Sequence, residues 1–257
     1  MLSYDLHVHP GPSVAPRWGD GRRVWEAAAA AGVKGFVWKA HERHTAELCR
    51  QLPADPVRAI GSASLNAWAT SGDVMEAVDA GARWIWGPTL GPDGSIGWDL
   101  PLPEWWQSLA VRLSTPGRQL VLATGHLGAE GRAAFAELAE RHEHLVCSVT
   151  HSLYVSPDEL GRLAQRGCMF EIDAYTLTSE IEGRTRSDLR PVVEALTAAE
   201  ALVYFTSDGG QEATGDPFLF GAEALEQVAT LIGATAADAL GVRNPEALVG
   251  WLDEARA

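Results

Sequence analysis

The 257-residue chain has only two lysines, Lys34 and Lys39, and three cysteines, Cys49, Cys147 and Cys168. The cysteines are scattered without C-x-x-C spacing. That excludes a disulfide framework and a cysteine-built zinc cluster, and it fits a reducing cytoplasm. No apolar run approaches the roughly 20 residues that a membrane-spanning helix needs. Met1 leads directly into an apolar stretch, which leaves no room for a signal peptide. Positive charge is scarce, with 20 Lys+Arg against 34 Asp+Glu and a net charge of −14. Nucleic acid and anionic membrane reward basic surface, so neither is expected as a partner. A small-molecule substrate is compatible, because a local site can differ in sign from the whole, and so is a homo-oligomer. No G-x-G-x-x-G follows the first strand, which removes the commonest dinucleotide signature.

What the chain does have is a regular alternation. Strand-like apolar runs fall near residues 4–9, 35–40, 58–65, 83–88, 120–126, 145–151, 169–174 and 202–208. Helical patterns fall at 22–31, 46–51, 72–80, 103–113, 129–141, 157–166, 189–199, 221–232 and 245–255. Ser156-Pro157-Asp158-Glu159 reads as an N-cap with proline at the first helical position. Gly32, Gly81 and Gly167 stand where helix C-terminal glycines belong. Eight strands alternating with helices predict an α/β fold: a single (β/α)8 barrel over 1–257, with its site at the strand C-termini. An open doubly wound sheet is the alternative. Two long connections, 89–101 and 175–188, suggest functional loops.

The polar residues are placed unevenly. In YDLHVHPGPS, Tyr4, Leu6 and Val8 alternate with Asp5, His7 and His9 before prolines stop the pattern. Residues i and i+2 of a strand face one side, so His7 and His9 converge. The second strand ends in Lys39 and then His41. The fifth ends at His126, the sixth at His151 and the eighth at Asp208. A parallel barrel gathers strand C-termini at one face, so these residues become neighbours able to hold a metal. His44, His142 and His144 lie in polar context and read as solvated. Arg17, Trp98, Tyr154, Tyr175, Arg184 and Arg186 fall on loops at the same face and could contact substrate.

His-x-His after strand one, histidines after strands five and six and aspartate after strand eight together resemble the amidohydrolase superfamily. The tail GVRNPEALVGWL resembles the Asn-Pro-x-x-Leu helix start of such hydrolases. DLHVH and AGVKGFVWKAH resemble equally the first two motifs of the PHP phosphoesterases, with His41 in the second motif's histidine position. EIDAY and TSDGG also have PHP-like counterparts. The first resemblance implies a metal-dependent hydrolase with one or two divalent ions, zinc foremost and manganese or iron as alternatives. His7, His9 and Asp208 would hold one ion, and His126 and His151 the other. Asp208 would also serve as general base, with metal-activated water cleaving an amide, cyclic amide, lactone or ester.

The chain departs from the pattern at strand four, which ends WIWGPT without the bridging lysine of many binuclear amidohydrolases. Lys39 is the substitute expected here, carboxylated and shared between two metals, and His41 is the competing ligand. Glu171 and Asp173 alternate inward on strand seven and could orient metal-bound imidazoles. A PHP-like phosphoesterase, a lyase or decarboxylase on the same scaffold, and a metal-binding protein without turnover are the other readings.

Overall fold

The computed structural model describes residues 2–66, 69–181 and 184–254. Among these residues there are nine strand segments: β1 (Tyr4–Val8), β2 (Gly35–Trp38), β3 (Arg58–Ile60), β4 (Ser62–Ser64), β5 (Trp84–Trp86), β6 (Leu120–Ala123), β7 (Leu145–Val149), β8 (Met169–Asp173) and β9 (Val203–Thr206). Only Gly61 separates β3 from β4, and together they form one stave. β3 pairs with β2, and β4 pairs with β5. A Cβ at Gly61 would lie 2.6 Å from the Ala46 Cα, so the crossover requires glycine. Every ladder is parallel, in the order β1-β2-β3 and then β4 through β9.

The eight staves form the expected barrel. β1 meets β9 through a Val8–Gly209 bridge and a His9 N–H bond to the Gly209 carbonyl at 2.9 Å. A side chain reinforces the seam. Buried Asp5 accepts from the Ser207 N–H at 3.0 Å and from the Thr206 hydroxyl. Burial pushes its carboxyl pKa up to about 6, against those hydrogen bonds.

Inside the barrel sit Leu6, Val37, Ile60, Trp84, Trp86, Val121 and Tyr204. The helix Asn244–Glu254 closes the N-terminal end with Leu248, Val249 and Leu252. Ion pairs tie that helix to the starts of β2 and β3, Lys34–Glu246 at 2.7 Å and Arg58–Asp253 at 2.7 Å. Ala255, the last residue of the expected 245–255 helix, lies outside the described residues, as do residues 182 and 183 of the 175–188 connection.

Three local expectations need correction. The strands end earlier than their apolar runs suggest. β6, β7 and β9 stop at Ala123, Val149 and Thr206, and left-handed residues follow: Gly125 (φ 56°), His151 (φ 51°) and Asp208 (φ 47°). Such a residue cannot continue a ladder, although its apolar neighbours suit a strand. The 175–188 connection is not all loop. The helix Ala174–Thr178 starts it, because the Asp173 carboxylate accepts from the Thr176 N–H at 2.7 Å. Finally, the alternation in β1 is interrupted. Tyr4 and Asp5 pair with Gly35 and Phe36, but Val8 pairs with Trp38, so β1 carries one extra residue. This bulge leaves Leu6 and His7 both inside, while Val8 joins the outer layer with Val24, Phe36 and Trp38.

Candidate metal centre

His7, His9, Lys39, His41, His126, His151 and Asp208 converge above the apolar barrel interior, and all are buried. Their rings form a chain. His7 lies 5.1 Å from His9 and 5.5 Å from His151, His9 stacks on His41 at 4.9 Å, and His126 lies 5.3 Å from His151. His7 Nε2 and His9 Nε2 both face Asp208 Oδ1, at 3.1 and 3.0 Å. His151 Nε2 stands 3.9 Å from Asp208 Oδ2.

The outward nitrogens are held from behind. His7 Nδ1 is 3.0 Å from Glu171 Oε1, and His151 Nδ1 is 3.0 Å from Asp173 Oδ2. His126 Nδ1 is 2.7 Å from the Gly97 carbonyl, and His41 Nδ1 is 2.8 Å from the Thr89 hydroxyl. A neutral imidazole that donates Nδ1–H to a carboxylate or carbonyl presents a bare lone pair at Nε2. His7 Nε2 lies 3.1 Å from the carboxylate oxygen Asp208 Oδ1. The Lys39 ammonium stands 3.0 Å from the same nitrogen, so a metal ion at His7 Nε2 would have to take its place. Carboxylates and carbonyls behind metal-bound histidines do this orienting work in many sites.

Charge follows from burial and neighbours. Burial holds the His9, His41 and His126 pKa values well below the usual imidazole range. Burial also opposes charging His151, but Asp173, Asp208 and Glu171 outweigh it and its pKa rises. For Asp208, the cost of burial is overcome by His7, His9 and His151, so its carboxyl stays well below its ordinary value. Lys39 Nζ lies 3.0 Å from His7 Nε2 and 4.4 Å from the centre of the Trp86 ring. Burial lowers its pKa to about 8, against the pull of Asp208 and Glu171.

The donor set fits a divalent ion. His7, His9 and Asp208 form one group with ligand atoms within 4.8 Å of one another, and His151, Asp173 and Asp208 form a second. Ligand atoms of a four-coordinate ion with bonds near 2.0–2.1 Å lie roughly 3.3 Å apart, close to the separations seen here. The second group takes in Asp173, which the sequence marked only as an orienting residue.

The loop residues divide. The Trp98 ring stacks on His126 at 4.1 Å and 3°, Tyr154 meets its edge at 5.8 Å, and the Arg184 guanidinium lies 4.5 Å from the ring centre. Arg184 also pairs with Asp99, which fastens the two long connections together. Arg17 is half-buried on the loop after β1. Arg186 turns to the Thr176 and Leu177 carbonyls and secures the end of a short helix. Tyr175 is half-buried in that helix. His44, His142 and His144, expected in solvent, are half-buried, and His144 Nε2 holds the Leu113 carbonyl at 2.8 Å. Sequence reasoning missed Thr89, Asn66 and Gly97. Asn66 Oδ1 accepts from the Thr89 and Leu90 N–H groups at 2.7 and 2.9 Å, which sets the hydroxyl that engages His41. No local pattern marks them. Trp86, packed 4.6 Å from His7, was findable from the alternation of β5.

Solved structures share this arrangement of the chain. An amidohydrolase superposes with a TM-score of 0.61 at 11% identity, over 98% of this chain and 75% of its own. A probable 2-pyrone-4,6-dicarboxylic acid hydrolase from Acinetobacter baumannii, with citric acid bound, gives 0.58 at 11% identity, over 97% of this chain and 100% of its own. Ochratoxinase from A. niger gives 0.58 at 13% identity, over 95% and 70%. At such identities the likeness is one of fold. Residues 3–96 match the profile of a family described as "Family of unknown function (DUF6282)". No curated protein matches the sequence. No helix among the described residues is long and apolar enough to cross a membrane.

Proposed function

We propose that this chain is a metal-dependent hydrolase that cleaves an amide, cyclic amide, lactone or ester bond in a small molecule. The observation that carries the reading is the convergence of His7 Nε2 and His9 Nε2 on Asp208 Oδ1, at 3.1 and 3.0 Å, while His7 Nδ1 is held by Glu171. His7, His9 and Asp208 would hold one divalent ion, zinc foremost, and His126 and His151 a second. Such an ion lowers the pKa of a water toward about 7 and polarises the scissile carbonyl. Asp208, ionised and reaching both His9 and His151 with its two oxygens, accepts the proton of the attacking water and passes it to the leaving group.

Lys39 has a defined problem to solve. Its ammonium and a metal cannot both occupy His7 Nε2. Carboxylation of Nζ would turn the donor into an anion able to bind divalent ions, and burial already lowers the amine pKa to about 8. Glu171 and Asp173 orient the His7 and His151 rings from behind. The test is metal analysis of the purified protein, followed by assays on amides, lactones and p-nitrophenyl phosphates before and after chelation. Hydrolysis of an amide or lactone that disappears on chelation and returns with zinc is the expected result. Full activity without metal would end the reading.

One observation favours the PHP-like phosphoesterase as the second reading. His41 stacks on His9 at 4.9 Å with an interplanar angle of 24°, within reach of the same centre. Phosphatase activity lost in His41→Ala, with amides untouched, would select it.

A further inference from the structure

Arg17 lies on the loop after β1 and forms no ion pair among the described residues. Its loop is pinned to the turn after Asp208 by an Arg17–Gln211 bridge and by the Trp18 N–H bond to the Gly210 carbonyl at 3.0 Å. Gly210 adopts φ 93°, and a Cβ there would lie 2.8 Å from the His9 carbonyl oxygen, so the two turns press tightly together. Arg17 Nη2 donates to the Ser13 hydroxyl at 3.1 Å. Its Nε is buried and has no hydrogen-bond partner among the described residues. Asp208 and Glu42 attract its charge, and that charge in turn disfavours protonation of His9, His41 and Lys39. Glu42, the other nearby carboxylate, is engaged by Val14 N–H at 3.2 Å, the Ser13 hydroxyl at 3.3 Å and Arg43 Nε at 3.6 Å.

A fixed guanidinium next to a site for divalent cations is repelled by whatever ion fills it. Asp208 attracts the guanidinium, but its two oxygens already face three imidazoles. A buried N–H left unpaired adds a further cost. Both costs vanish if an anion from outside seats against the arginine. The planar fork of arginine matches a carboxylate better than any other side chain does. We infer that Arg17 binds a carboxylate of the substrate, so that the molecule cleaved is an anionic amide or lactone with its carboxylate close to the scissile bond. This rests on the hydrolase reading only for the bond that breaks; recognition of the anion stands on Arg17 itself.

The test titrates glutarate, its neutral counterpart glutaramide and inorganic phosphate into metal-loaded protein by calorimetry. Metal content is counted on each sample of wild type, Arg17→Met and Arg17→Lys. Wild type should bind glutarate about tenfold or more tightly than glutaramide. Arg17→Met should erase that preference with metal content unchanged, and Arg17→Lys, which keeps the charge and loses the fork, should fall between. If Arg17→Met does not fold, Arg17→Lys carries the comparison, with its melting temperature as the control. Equal glutarate binding by wild type and either folded variant would overturn the inference. So would the absence of any preference for glutarate over glutaramide, or tighter binding of phosphate than of glutarate. Protein that takes up no metal yet binds glutarate through Arg17 would sustain the inference and remove the hydrolase reading.

Discussion

At the N-terminal end of the barrel, Leu248, Val249 and Leu252 of the closing helix meet Leu6, Val37, Ile60 and Trp84, and nearly all of this surface is dry hydrocarbon. At the opposite end the interior is five histidines, a lysine and three carboxylates, with His151 and Asp208 in left-handed backbone conformations. Non-glycine residues in that region cost on the order of 1–3 kcal/mol each. One end is assembled for packing. The other gathers imidazoles, an ammonium and carboxylates whose ligand atoms are close enough to hold a divalent cation. Stability and chemistry are thus segregated along the barrel axis, and perturbations at the two ends should separate in their readouts.

Stripping the upper end should have the largest effect. Chelation, or His7→Ala combined with His9→Ala, is expected to abolish hydrolysis and metal uptake while the circular dichroism of the fold persists. Loss of the folded signal together with the metal would show that the two ends are not independent. Next comes Asp208→Asn, which keeps the shape and removes the base. It should lower kcat on the order of 10²-fold or more with a smaller change in KM. A near-normal kcat would assign proton transfer to another group.

The lower end should answer in the other currency. Leu252 is fully buried, and Leu252→Ala should cost roughly 2–5 kcal/mol in denaturant unfolding, with kcat per folded molecule unaltered. A comparable loss of kcat would mean that packing at the bottom sets the geometry at the top. The smallest effect is a pH response at Lys39. Its pKa is lowered from the ordinary lysine value to about 8, so the amine is an unreactive ammonium below that pH and a free nucleophile above it. Bicarbonate should therefore raise uptake of a second metal modestly on passing from about pH 7 to about pH 9, and Lys39→Ala should abolish the response. Uptake independent of bicarbonate in both proteins would remove carboxylation.

The sequence pattern carried the barrel well, because each stave is a short apolar run bounded by turn residues, and each crossover is a helix with visible caps. It also marked the histidines that the structure brings together, because they stand just past those runs. It was blind where backbone conformation departs from its neighbours' preference. Val149-Thr150-His151 reads as strand by composition, yet His151 turns left-handed. Asp173 ends β8 as its pattern suggests, and its carboxylate also starts the helix that follows, which the pattern does not announce. Thr89, Asn66 and the Gly97 carbonyl act through contacts made only once distant loops have come together, and no spacing announces them.

The bulge in β1 has a consequence for how this gene can vary. Because one extra residue lies between Asp5 and Val8, the inward-facing set is Leu6, His7 and His9. Deleting a single codon within this stretch would restore strict alternation. It would then force a choice between burying Leu6 and aiming both imidazoles at the centre. Length is therefore constrained here as strictly as identity. A homologue that keeps His-x-His but drops one residue before it should have lost the centre, however well the motif itself survives.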